Sequence, residues 1–118
     1  MSGMVSYLAG HAAEKSVALK YQSEGHKILA RRWRGKSGEI DIVAENASGL
    51  VFIEVKASKT HGRAAEALGY RQQQRLMRAA QEYAAIHMGR LDVDMRVDVA
   101  LMDNFGDIQI LENALMAA

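Results

Sequence analysis

The sequence contains no cysteine. That excludes disulfides and thiolate metal sites, and it is compatible with a reducing cytoplasm, where the protein is expected to reside. Proline is absent as well, so turns have to be read from glycine and asparagine. No apolar run approaches the length of a membrane-spanning helix. The opening stretch, MSGMVSYLAGHAAEK, has no basic segment followed by a long apolar one. Neither membrane association nor a secretory signal is therefore expected. Aromatic residues are few, at 6%, and Trp33, Tyr70 and Tyr83 are too scattered to suggest a base-stacking platform. His11, His26, His61 and His87 lack zinc-finger or HExxH spacing. Ser37 and Ser58 have no visible base partner for a hydrolase triad. Asp92, Asp94 and Asp98 alternate as on a strand, without the glycine and terminal glutamate of a calcium loop.

What is present fits one domain spanning residues 1–118. The 118 residues, 49% hydrophobic and 25% charged, suffice for one core. Net charge is only +1, but its distribution is uneven. His26 to Lys36 holds five cations (Lys27, Arg31, Arg32, Arg34, Lys36) and no acid. Lys56 to Arg78 holds six cations against Glu66 alone, whereas Asp92 to Glu112 holds six acids against Arg96 alone. Such segregation predicts a basic side and an acidic side.

Local patterns predict the order αβββαβ with one appended strand. Ser2 to Glu24 reads as a helix stopped at Gly25, with Tyr7, Glu14, Ala18 and Tyr21 near one stripe. Lys27 to Arg34 reads as a strand, and Gly35 to Gly38 as a turn. Ala57 to Arg63 reads as a basic loop. A long helix follows from Ala64 to His87, starting properly near Tyr70, with Leu76, Ala79, Ala80, Tyr83, Ala84 and His87 as its apolar stripe. Arg71, Arg75, Arg78 and Glu82 lie on another side. Asp94 to Met102 and Ile108 to Leu111 read as strands, with Arg96 and Asp98 paired on one face and the tail NALMAA fraying. The expected fold class is α/β, a mixed sheet flanked by helices.

The chemistry concentrates in Gly38 to Lys56. Two β-branched runs flank Asn46-Ala47-Ser48-Gly49, a hairpin signal. If Glu45 faces Leu50, antiparallel pairing sets Asp41 opposite Glu54 and Glu39 opposite Lys56, all on one face. Ile40, Ile42, Ala44, Val51, Ile53 and Val55 would form the core face. Two facing carboxylates repel each other, and a bound cation removes that cost. Asp41 and Glu54 are thus candidate ligands for a hard cation such as Mg2+ or Mn2+, with the Val55 backbone carbonyl as a further oxygen donor. Lys56, about 7 Å along the strand from Glu54, could orient or help deprotonate an attacking water. Glu14 could reach the same metal if its helix packs across that end of the sheet. The other reading of the four strand residues is a surface cluster in which Glu39 pairs with Lys56.

These stretches resemble the YraN-like family, which is similar to archaeal Holliday-junction resolvases and other PD-(D/E)XK nucleases. The resemblance runs through Glu14, the arginines of ARRWR, GEIDIVA from Gly38, VFIEVKAS from Val51, QQQRL from Gln72 and RVDV from Arg96. It implies a restriction-endonuclease-like αβββαβ core and active-site positions at Glu14, Asp41, Glu54 and Lys56. Glu39, Gln73 and Arg31 would belong to the surrounding polar set. Ala13, Arg32 and Gln72 stand where members often carry glycine, asparagine and lysine, and Gln72 thereby removes a phosphate contact. The reading that follows is a Mg2+- or Mn2+-dependent endonuclease acting on DNA, including branched DNA, in preference to RNA. Arg31, Arg34, Lys59, Arg63, Arg71, Gln73 and Arg75 would contact nucleic acid. A homodimer is expected by resemblance. Two alternatives stand beside it: a non-catalytic nucleic-acid-binding accessory protein that retains the nuclease fold, and a structural domain whose carboxylates form salt bridges.

Overall fold

A computed structural model describes residues 3–89 and 94–114, with side chains from Gly10 onward. Ser2, Asp92, the side chain of Tyr7 and the tail residues 115–118 lie outside the described residues. The elements are α1 (Gly3–Ser23), β1 (Lys27–Arg34), β2 (Glu39–Asn46), β3 (Gly49–Ala57), α2 (His61–Glu66), α3 (Tyr70–Met88), β4 (Met95–Met102) and β5 (Ile108–Leu111). They form one five-stranded sheet in the order β1-β2-β3-β4-β5. Only β3 and β4 pair in parallel, as the helical crossover between them requires. The α/β class and the αβββαβ order with an added strand are as expected. Among the described residues no helix is long and apolar enough to cross a membrane.

Local chemistry explains the boundaries. Gly25, at φ +95°, turns the chain out of α1, and the Gly25 N–H closes on the Gln22 carbonyl at 3.1 Å. The Asn46 side-chain oxygen accepts from the N–H groups of Ser48 (2.8 Å) and Gly49 (3.1 Å), closing the central hairpin. The β2–β3 register sets Glu45 opposite Leu50 and Ile42 opposite Ile53, as predicted. The expected loop after β3 is instead partly helical. The Thr60 hydroxyl accepts from the Arg63 N–H and caps the short α2. Helix α3 begins at Tyr70, after Gly69. Part of the tail is held: the Asn113 N–H donates to Asp98 at 2.9 Å and the Ala114 N–H to the Val97 carbonyl at 2.8 Å.

The sheet is buried on both faces, which corrects the expectation of one core face. Val17, Ala18 and Tyr21 of α1 pack on Ile42, Ala44, Val51, Ile53 and Ala100. Leu76, Ala79, Ala80 and Tyr83 of α3 pack on Ile40, Val43, Leu50, Phe52 and Val97. Ile40 therefore lies on the opposite face from Ile42, and Val55 is only half-buried. Trp33 and Tyr83, read as scattered, meet edge to face at 5.3 Å, and His87 stacks on Tyr83 at 4.3 Å. Full burial of each large apolar side chain contributes roughly 1.5–3 kcal/mol, which is what clamps the two helices to the sheet. The predicted pair of Arg96 and Asp98 is present, with nitrogen–oxygen distances of 3.0 and 3.2 Å. Tyr21 adds its hydroxyl to the same carboxylate at 2.7 Å, tying α1 to β4.

Candidate active site

Two neighbouring strands break their alternation at one level, and the site is built there. Ala30 and Trp33 both pack on the α3 side although three residues apart. Ile40 and Val43, their partners across the β1–β2 ladder, do the same. A period of two cannot put residues three apart on one face, so both strands kink between these pairs. On β1 the kink falls at Arg32, whose φ of +54° is left-handed. On β2 it falls around Asp41. Here β2 and β3 also part, since their paired register ends at Ile42 and Ile53.

Asp41 substitutes for the missing ladder. Its Oδ2 accepts the Val55 N–H at 2.8 Å, where a continuous ladder would supply a backbone carbonyl. A strand residue points its N–H and C=O to the same edge. The Val55 carbonyl therefore faces the gap beside Asp41, where it was expected as a donor. The expected facing of Glu39 and Lys56 does not survive the parting of the strands. Glu39 takes the exposed Arg34 guanidinium instead, at 3.1 Å.

The gap opens into a cleft of about 350 Å³. Gly10, Ala13 and Glu14 of α1 form one wall, and Gln72, Arg75 and Leu76 of α3 the other. Gly38, Glu39, Asp41, Glu54, Val55, Lys56 and Ala57 form its floor. All four positions implied by the resemblance thus meet in one cleft. Glu54 is buried, and Asp41 lies within hydrogen-bonding reach of it. Burial, then the hydrogen bond and charge of Asp41, push the Glu54 carboxyl up to about 9, against the opposing pull of Lys56 and Gln72. The Gln72 amide donates to Glu54 Oε2 at 3.3 Å.

Glu14 is buried at 6% exposure and faces Arg32, with Nε 3.3 Å from Oε1. Burial raises its carboxyl above the usual range; Asp41 adds to the rise, while Arg32 and Arg31 oppose it. Arg32 also reaches His11 Nε2 at 2.6 Å. Opposite, Glu82 of α3 accepts the backbone N–H groups of Lys36 and Ser37, both at 2.9 Å. These bonds hold the glycine turn against α3.

Other expected contact residues are dispersed. Gln73 turns away and caps the Leu68 carbonyl at 3.2 Å, so its neighbour Gln72 is the glutamine at the cleft. Lys59 and Arg63 are exposed around α2, outside the cleft lining, and Arg31 and Arg34 are exposed on β1. Arg71 and Arg75 line a second hollow on α3, and Arg75 belongs to both. Arg32, His11 and Gln72 were not anticipated as site residues. The hairpin register carried one signal for Arg32, since extending β1 antiparallel to β2 places it beside Asp41. A further acidic group able to hold a metal consists of His61, Asp103 and Asp107. Separation along the chain hid it from spacing arguments, and here His61 Nε2 stands 3.0 Å from the Asp107 carbonyl oxygen.

A mixed sheet covered by helices on both faces, with acidic residues converging where two central strands part, defines an α/β protein with an acidic cleft. The chain belongs to the uncharacterised protein family UPF0102, whose model matches residues 13–102 and so spans the four cleft positions. This is the YraN-like family of the resemblance. A UPF0102 protein of Cereibacter sphaeroides is 49% identical, covering 99% of this chain and all of that one. A UPF0102 protein of Ruegeria pomeroyi is 47% identical, covering 95% of this chain and 91% of its own. Among solved structures, Pyrococcus furiosus SfsA in complex with Ca2+ aligns with a TM-score of 0.33 and 18% identity, over 91% of this chain. This chain spans 63% of SfsA, less than two thirds of its length.

Proposed function

We propose that this protein is a metal-dependent endonuclease of the PD-(D/E)XK type that hydrolyses phosphodiester bonds in DNA, branched DNA included. The observation that carries the reading is the carboxylate pair. Asp41 and Glu54 are held side by side at a strand gap open to water, an arrangement that needs a shared proton or a cation. The donors fit Mg2+ or Mn2+: two carboxylates and the Val55 carbonyl are hard oxygen ligands, with Glu14 assisting from α1. Such an ion, when bound, neutralises phosphate charge and lowers the pKa of water. The chain's own residues do the positioning. Gln72 holds Glu54, and the Val55 N–H holds Asp41. Lys56 brings an ammonium to the same cleft, to orient water and offset charge developing on the phosphate. Arg75 approaches from α3 to hold a phosphate. Lys59, Arg63 and Arg71 would grip more distant phosphates without reading bases. A homodimer, pairing two clefts on two strands, completes the reading; light scattering that finds a monomer at working concentration removes that part.

The test compares duplex, single-stranded and four-way-junction DNA with Mg2+, Mn2+ or chelator, for the native chain, Asp41→Asn and Lys56→Ala. Metal-dependent cutting lost in both variants supports the enzyme. DNA binding without cutting in any metal replaces it with the accessory-protein reading. Neither binding nor metal uptake by calorimetry leaves a structural domain.

A further inference from the structure

Beside the cleft, α3 carries a hollow of about 510 Å³ that the carboxylate chemistry does not use. Tyr70, Arg71, Gln74, Arg75 and Arg78 line it. At about 100° per residue these five fall within roughly 140° of the helix circumference. The stripe through Leu76, Ala80 and Tyr83 that packs on the sheet lies opposite. Tyr70 is 74% exposed, so its ring contributes little to the core. All three arginines are exposed. Among the described residues none of them is in an ion pair, although α3 places them as neighbours of like charge. No acid occurs from Ala67 to Gln81 to offset them.

We propose that this hollow binds an unpaired nucleotide of a nucleic-acid strand, its base stacked on the Tyr70 ring and its phosphates on Arg71, Arg75 and Arg78. The proposal rests on the reading of the adjacent cleft as a nucleic-acid site, but not on turnover there. The chemistry selects the ligand. Three arginines on one helix face match successive phosphates, and a flat exposed ring beside them matches the face of a base. A paired duplex offers the phosphates but keeps its base faces in its own stack, which leaves Tyr70 without a partner. Arg75 lines both the hollow and the cleft, so a strand seated on Tyr70 continues toward Glu54. The favoured substrate class is therefore a strand with an unpaired segment next to the scissile phosphate, rather than uninterrupted duplex.

The experiment measures fluorescence anisotropy of labelled oligonucleotides in chelator, where no cutting occurs. The probes are dT12, rU12, a twelve-base-pair duplex and an all-abasic oligomer with the same phosphates. Tyr70→Ala should weaken dT12 or rU12 binding by about 5- to 160-fold, the range of one lost base–aromatic stack. The tighter of the two identifies the sugar. Tyr70→Phe should bind like the native chain, and the all-abasic oligomer should bind the native chain and Tyr70→Ala equally. The double variant Arg71→Gln/Arg78→Gln should weaken every probe and, on the single strands, lower the salt slope by about 1.4, at ~0.7 per phosphate contact. Equal binding of dT12 and rU12 by the native chain and Tyr70→Ala overturns the proposal. So does a loss in Tyr70→Ala that is as large for the duplex or the all-abasic oligomer. Tyr70-dependent binding by a chain that cuts nothing in any metal sinks the endonuclease reading and keeps this one; cutting with no Tyr70-dependent binding does the reverse.

Discussion

Replacing Glu54 by glutamine should flatten the dependence of thermal stability on pH and abolish stabilisation by metal. In the folded chain the Glu54 carboxyl is pushed up to about 9, first by burial and then by Asp41; in the unfolded chain it ionises near its ordinary value of 4.5. Between those values the folded state holds a proton that the unfolded state has released. Raising the pH therefore favours unfolding. The stability linked to this proton is full below pH 4.5 and is lost as the pH rises toward about 9. The slope is at most about 1.4 kcal/mol per pH unit. From pH 6 to pH 8 in chelator the upper limit is thus about 3 kcal/mol, a fall in Tm of up to about 10 °C for a chain of this size. The cleft is open to water, so the observed fall should lie below that limit. A divalent cation takes the place of the proton, and saturation at a hundred times Kd should add about 2.7 kcal/mol, with the larger rise at the higher pH. Glu54→Gln has no proton to lose and keeps an oxygen for the Gln72 amide. The assay is differential scanning fluorimetry from pH 5.5 to 8.5, with chelator, Mg2+ or Mn2+, on both chains, so that contributions from other titrating groups cancel in the difference. A native Tm in chelator that does not fall relative to the variant refutes the proton-sharing pair. An equal metal-induced rise in the variant refutes Glu54 as a ligand.

Asp98→Ala should cost about 1–3 kcal/mol in urea unfolding, because it takes the acceptor away from the buried Tyr21 hydroxyl and leaves the half-buried Arg96 with Glu112 alone, at 3.7 Å; a loss under about 0.5 kcal/mol, within the scale of an exposed pair, would show the network to be dispensable. Gly49→Ala should be strongly destabilising, since φ is +139° there and an added Cβ would sit 2.3 Å from the Asp94 carbonyl oxygen. A melting temperature unchanged from the native chain would contradict that contact. Glu82→Ala should leave the core intact but speed hydrogen exchange at the Lys36 and Ser37 amides, whose bonds hold the Glu82 carboxyl below its usual range. Unaltered exchange there would mean that the turn holds without α3.

Much of the fold was legible because local rules governed it. β1 and β5 fall at their predicted bounds, and the central hairpin keeps its predicted register, because turn chemistry and alternation are short-range. α2 was missed because its cap, Thr60 on Arg63, is a single hydrogen bond within a polar stretch. The second buried face was missed because Val43, Leu50 and Phe52 alternate with residues that are equally apolar. With both faces covered, the pattern of apolar residues no longer tells inside from outside.

The candidate site divides along the same line. Sequence alone placed Asp41 beside Glu54 with Lys56 two residues on, because a tight turn transmits register directly to the residues that face across it. Tertiary structure decided the rest. It parted β2 from β3 after Ile42 and Ile53, gave the Val55 N–H to Asp41, and brought Glu14 and Arg32 to one side of the gap and Gln72 and Arg75 to the other. The kink at Arg32 and Asp41 arises where two strands and two helices must satisfy one another's packing. Such contacts join residues tens of positions apart, which no periodicity within one segment encodes.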